Sequence, residues 1–165
     1  MSTFAQTGIL QADQPAGAIG PHLDARNFAE TPLGKAAGMK LDGLRTRFLL
    51  PHCSIAGSDF DLTLSYESQK LDRLELFLHL PNDGKTWADW SLEKEKLRKK
   101  TAEAWAAKLL GRDLALKPYE LDGLLITPFE ATWDLPRHAP CSWGELISFH
   151  DSKAGFSGLL IQYRS

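Results

Sequence analysis

From Leu44 onward the chain alternates apolar and polar positions with a period of two. Phe60, Leu62, Leu64 and Tyr66 alternate with Asp59, Asp61, Thr63 and Ser65, the pattern of a strand with one buried and one wet face. A polar break at Glu67 to Lys70 follows, and then Leu74, Leu76, Leu78 and Leu80 alternate with Arg73, Glu75, Phe77 and His79. Two such runs joined by about four residues predict an antiparallel hairpin. An earlier strand is expected from Leu44 to Leu50, ending at Pro51, which has no amide to give to a ladder.

The period then lengthens. Pro81-Asn82-Asp83-Gly84 is dense in turn formers, and Ser91 is placed to cap a helix from Leu92 to about Leu110. Glu93 and Glu95 suit its positive end, and Gly111 suits its termination. Its expected apolar stripe runs through Leu97, Ala104, Trp105 and Leu109, with Lys94, Lys96, Arg98, Lys99 and Lys100 on a solvated face. Strands return at Leu124 to Ile126, Ser142 to Phe149 and Phe156 to Tyr163, the last two joined by the polar link Asp151 to Gly155. Strands, one long helix and strands again predict an α+β fold with a mainly antiparallel sheet and the helix on one face.

Residues 1-43 differ in composition. Eight Ala, six Gly and three Pro fill 17 of these positions, and Phe4 and Phe28 are their only aromatics. Small side chains carry little apolar area, so an irregular lead-in is expected, with a short helix at Leu33 to Ala37 signalled by Thr31-Pro32. Residues 44-165 are expected to form a single α+β domain holding nearly all the core.

Charge and cysteine content remove several functional classes. Nineteen basic and 21 acidic side chains give a formal charge of -2, which supplies no broad field for nucleic acid or an anionic membrane. No apolar run approaches the ~20 residues of a membrane span, and Met1 to Leu10 lacks the basic start of a secretory signal, so a cytoplasmic location is expected. Two cysteines, Cys53 and Cys141, are too few for a disulfide framework, although one bridge between them stays open.

Candidate chemistry is sparse. His52-Cys53 and His138 with Cys141 supply zinc-type ligands, but neighbours on extended backbone point to opposite faces, so no metal site and no cofactor are expected. A cysteine nucleophile needs a base such as His138 or His150 within hydrogen-bond reach, and no local signature surrounds either cysteine. Ser91-Leu92-Glu93-Lys94 matches a Ser-x-x-Lys pattern, which helix capping explains better. Asp59 with Asp61, on one strand face, and Glu145 with Asp151 are the acidic pairs. All five Trp, at 87, 90, 105, 133 and 143, fall between residues 87 and 143. Trp105 is assigned to the core, whereas Trp87 and Trp90 flank a turn-rich loop and suit an exposed contact.

At the carboxyl end, Trp143-Gly144-Glu145-Leu146-Ile147-Ser148-Phe149-His150-Asp151-Ser152-Lys153-Ala154-Gly155-Phe156-Ser157, closing in Ile161-Gln162-Tyr163, is similar to the final hairpin of small uncharacterised bacterial proteins. With Asp59 to Glu67 and the Leu71-Asp72-Arg73-Leu74 turn, it resembles immunity-type proteins encoded beside polymorphic toxins, over roughly residues 44-165. The resemblance implies a toxin or effector as protein partner and assigns no functional residue. The reading is therefore a non-enzymatic protein-binding domain of the immunity-inhibitor type. Trp87, Trp90, Asp59 and Asp61 form its expected contact surface, without catalytic residues. The alternative is a small-ligand-binding protein or hydrolase-like enzyme with a cleft between helix and sheet, and a third reading is a homo-oligomer through the same apolar surface. Convergence of two or more of His52, Cys53, His138, Cys141 and His150 in a deep pocket favours the enzyme; an aromatic surface without such convergence favours the binding module.

Overall fold

A computed structural model describes residues 3-165. The chain is α+β: an eight-stranded antiparallel sheet carries one long helix. Short elements come first: α1 (Thr3–Thr7), the hairpin β1 (Leu10–Asp13) and β2 (Ala16–Ile19), α2 (Ala25–Glu30) and α3 (Pro32–Ala36). The sheet is built from β3 (Gly38–Asp42), β4 (Arg45–Ile55), β5 (Ser58–Glu67) and β6 (Lys70–Leu78). Helix α4 (Leu92–Leu110) intervenes before β7 (Ala115–Leu116) and a separate hairpin of β8 (Tyr119–Leu121) and β9 (Leu124–Ile126). Strands β10 (Arg137–Cys141), β11 (Gly144–Asp151) and β12 (Phe156–Tyr163) complete the chain, and the sheet order is β3-β4-β5-β6-β12-β11-β10-β7.

The alternation in β5 and β6 sorts their side chains as expected. Phe60, Leu62, Leu64, Leu74, Leu76 and Leu78 are buried on one face. The β5–β6 turn places Ser68 and Gln69 at φ 47° and 72°, the left-handed pair that a two-residue hairpin turn requires. Pro51 does not end its strand. It lies in a bulge, where the register of β4 against β5 jumps from Leu50 to Cys53, and pairing resumes to Ile55. A bulge leaves residues outside the ladder, which is how a strand tolerates a residue without an amide hydrogen.

The start of the chain is not an irregular lead-in. Phe4, Leu10, Ile19, Phe28 and Leu33 are buried in the same hydrophobic cluster as β4, β5, β12 and α4. Their few large side chains are spaced so that each small element contributes one or two to the interior. The small residues between them let the backbone pass close by. The helix expected at Leu33 to Ala37 is α3, in which Thr31 accepts from the Gly34 amide at 3.1 Å and Pro32 opens the first turn.

Helix α4 has the expected limits. Ser91 Oγ accepts from the Lys94 amide at 3.2 Å, and Gly111 ends the helix in the left-handed conformation at φ 74°. Its buried face differs from the expected stripe. Leu97 and Ala104 face solvent, while Glu95, Arg98, Lys99, Ala102, Trp105, Ala106 and Leu110 face inward. Trp105 is core, tilted against Phe60 at 4.7 Å, with its Nε1 donating to the Ile55 carbonyl at 3.1 Å. No helix among the described residues is long and apolar enough to cross a membrane.

Candidate functional site

The register of β12 against β6 ends at Leu159↔Leu76. Beyond that point side chains of α4 enter the seam. Arg98 Nη1 donates to the Leu78 carbonyl, and Glu95 Oε2 accepts from the Ser157 amide at 2.8 Å. A buried backbone donor or acceptor left alone costs about 1–3 kcal/mol, so this pair stands in for the missing ladder bonds. Arg98 Nε also donates to Glu95 Oε2 at 3.2 Å, and its Nη2 to Asp83 Oδ1 at 2.6 Å. The guanidinium carbon lies 4.2 Å from the centre of the Phe77 ring. Arg98 and Glu95 are each only 4% exposed, a burial tolerable for charges only when they are paired and hydrogen-bonded. Burial pushes the Asp83 carboxyl up, but its hydrogen bonds from Arg98 and the Leu80 amide more than offset that and hold it below the usual carboxylate value.

Over this seam opens a cleft of about 530 Å³ between the 81-90 loop, the first turns of α4 and the β11–β12 link. Its apolar walls include Phe77, Phe156, Trp87 and Trp90. Trp87 and Trp90 bracket a 3₁₀ turn (Trp87–Asp89), pinned by Asp89 accepting from the Thr86 hydroxyl at 3.1 Å. Trp90 Nε1 donates to the Gly155 carbonyl at 2.5 Å and so ties the loop to the sheet. Gly155 sits at φ 74°, a left-handed conformation that favours glycine, and a Cβ there would meet the Trp90 and Trp87 rings only at ordinary contact distances of 3.4 and 3.7 Å. Trp87 remains 77% exposed and Trp90 43%. Three carboxylates, Asp83, Asp89 and Glu95, and three cationic side chains, Lys85, Lys94 and Arg98, line the cleft, so its formal charge balances.

His79 lines the same cleft and joins it to the acidic pair. Its Nε2 is 2.8 Å from Asp61 Oδ1, and its ring stacks on His52 with centroids 4.6 Å apart. His52 Nδ1 lies 2.9 Å from Asp59 Oδ2, and the hydrogen bond and charge of Asp59 raise the imidazole pKa. Trp87, Trp90, Asp59 and Asp61, the four residues expected from the sequence, thus border one continuous region through His79. Phe77, His79, Glu95, Arg98 and Phe156 belong to it as well and were not expected. The i,i+3 spacing of Glu95 and Arg98, just after Asp83-Gly84, was the available signal, but charge there reads as a solvated face.

The other candidate groups are dispersed. His52 faces outward while Cys53 is fully buried, and burial pushes the Cys53 thiol up to about 11, far from a reactive thiolate. Strands β4 and β10 stand five sheet positions apart, about 24 Å at 4.8 Å per strand, so His52-Cys53 and His138-Cys141 share no ion. Both cysteines are free. His138 Nδ1 is 2.9 Å from Glu145, which also accepts from Lys117, whereas Asp151 caps its own turn through the Lys153 and Ala154 amides. His150 Nδ1 meets Ser157 Oγ at 3.0 Å, but that serine is fully buried, and Trp133 packs on the imidazole. No two of His52, Cys53, His138, Cys141 and His150 converge in the cleft.

The fold and the site together define an α+β protein with an aromatic-rimmed cleft at the split end of an antiparallel sheet. The chain matches no protein-family model, no curated protein and no solved structure.

Proposed function

We propose that the chain is a non-enzymatic protein-binding module whose cleft takes an apolar side chain of a partner protein. The observation that carries this reading is the pair of exposed indoles, Trp87 and Trp90, at the rim of a cleft whose carboxylates are already engaged. Asp83 and Glu95 hold Arg98, and Asp89 holds Thr86. A general acid or base needs a free group aimed at substrate, whereas binding needs an aromatic anchor beside a desolvated wall. Charge balance within the cleft suits an uncharged occupant. Asp59 and Asp61 beside it suit a partner whose surrounding surface is basic.

A second apolar surface supports the same class. The β8–β9 hairpin belongs to no larger sheet, and Tyr119, Leu121, Leu124 and Leu125 on it are exposed, as is Phe129 just beyond. Two-stranded hairpins are marginal alone in water, and contiguous exposed apolar side chains mark interaction surfaces. Inhibition of a toxin is the form of binding that the resemblance of residues 143-163 suggests, and a basic active site on the partner would meet Asp59 and Asp61.

The test is a calorimetric titration of the full chain against the protein encoded in the adjacent reading frame. A 1:1 complex that W87A/W90A weakens by about thirtyfold or more supports the proposal, that being the scale of one interface hot spot. A 1:1 complex unaffected by the double substitution removes the cleft from the interface.

A further inference from the structure

Stacked histidines over paired carboxylates present a second chemistry beside the cleft. His52, Asp61 and His79 come from three adjacent positions in the sheet: β4, β5 and the residue following β6. A ring nitrogen of each histidine and a carboxylate oxygen of Asp61 lie within 4.8 Å of one another. Ligands of one tetrahedral zinc ion, each about 2.1 Å from the metal, stand about 3.4 Å apart, so modest side-chain rotation closes the remaining gap.

The backbone already holds these groups in register. The His52 amide donates to Asp61 Oδ1 at 3.1 Å, and the His79 amide donates to the Asp59 carbonyl at 2.9 Å. His52 sits at the β4 bulge with φ 55°, a left-handed conformation that non-glycine residues seldom adopt, and its ring stacks on His79 at an interplanar angle of 17°. Charge points the same way, because two carboxylates face the stacked rings, Asp59 at 2.9 Å from His52 Nδ1 and Asp61 at 2.8 Å from His79 Nε2.

We infer that His52, His79 and Asp61 bind one divalent transition-metal ion of the zinc class, with solvent completing its coordination. Two imidazole nitrogens and one carboxylate oxygen form a donor set that zinc, cobalt and nickel accept readily and that magnesium and calcium do not favour. Asp59, 2.9 Å from His52 Nδ1, holds that imidazole in place from outside the ligand set. The site makes no use of the Trp87–Trp90 rim and needs no partner, so its metal uptake is measured apart from partner binding, although it engages the same Asp61 that the protein-binding reading sets against a basic surface.

The full chain, stripped with a chelator and dialysed, is titrated with zinc chloride by calorimetry and with cobalt chloride by visible absorption. One ion per chain is expected. H52A and H79A should each weaken uptake at least tenfold, and D59N by about 10- to 100-fold, the usual effect of losing a supporting carboxylate. H138A should leave uptake unchanged. Circular dichroism checks folding, and His52, 70% exposed, carries the test if H79A does not fold. Absence of saturable uptake by the wild-type chain, or equal affinity and stoichiometry in folded H52A, overturns the inference.

Discussion

The two halves of α4 lie on one sheet and bury opposite chemistries. Its C-terminal half presents Ala102, Trp105, Ala106 and Leu110 to the core, while its N-terminal half presents Glu95, Arg98 and Lys99. Local propensity does not separate them, because Leu97 was available in the first half and faces water. The backbone beneath does. Where β12 and β6 remain paired, the sheet satisfies its own polar groups and the helix needs only to cover apolar side chains. Past Leu159↔Leu76, Leu78 and Ser157 need external partners, and the helix supplies a guanidinium and a carboxylate. The parted strands also leave the cleft. A helix can thus close a core at one end and frame a site at the other, with buried charge marking the change.

Substitutions sharpen that contrast. Arg98→Ala leaves Glu95 and Asp83 without their cation and the Leu78 carbonyl without a donor, so a loss of about 3–5 kcal/mol is expected in denaturant unfolding. Trp105→Ala should cost a similar amount, about 3–5 kcal/mol, through the cavity beside Phe60. The two differ when the neighbours are changed together. Replacing Glu95 as well as Arg98 with Met should recover only part of the Arg98→Ala loss, because Leu78 and Ser157 still lack partners. Full recovery would show that the pair does not stand in for the ladder.

Asp83→Asn should cost about 1.5–3 kcal/mol at neutral pH, the range for hydrogen bonds to charged groups. The folded Asp83 carboxyl lies below its ordinary value, so its contribution is complete above that value and disappears as pH falls through the lower folded one. Acid titration of stability should therefore be shallower in D83N than in the wild-type chain. At the small end, the buried Tyr66 hydroxyl has no hydrogen-bond partner among the described residues. Tyr66→Phe keeps the ring against Phe28 and Phe48 and removes the stranded hydroxyl, for a gain of about 1 kcal/mol.

How far the sequence could be read depended on whether neighbours or distant groups decide a position. Ser91, Gly111 and the alternation from Phe60 to Leu80 set α4, β5 and β6 locally, and they were legible. The β4 bulge was not, because Pro51 signals an end unless the strand resumes at Cys53. Residues 1-43 misled through composition: Phe4, Leu10, Ile19 and Phe28 are few, yet all are buried against later elements. In the site, exposure of Trp87 and Trp90 followed from their turn-rich setting. Arg98 and Glu95 did not follow from theirs, since what buries them is a gap between strands more than fifty residues apart in sequence. His79 likewise reads as an ordinary strand position until it is seen to join Asp61 to the cleft.

The division of labour along α4 is tested most directly by titrating the adjacent-frame protein into W87A/W90A and W105A, with the unfolding midpoint of each sample measured in parallel. Trp87 and Trp90 contribute to the rim but little to the core. The double variant should therefore lose only the small stability supplied by the Trp90–Gly155 hydrogen bond, far less than W105A loses, while partner affinity drops by about thirtyfold or more. W105A should show a lowered midpoint and, while folded, near-native affinity. Unchanged affinity in W87A/W90A, or a comparable loss in folded W105A, would contradict the assignment of binding to the charged, split end of the sheet.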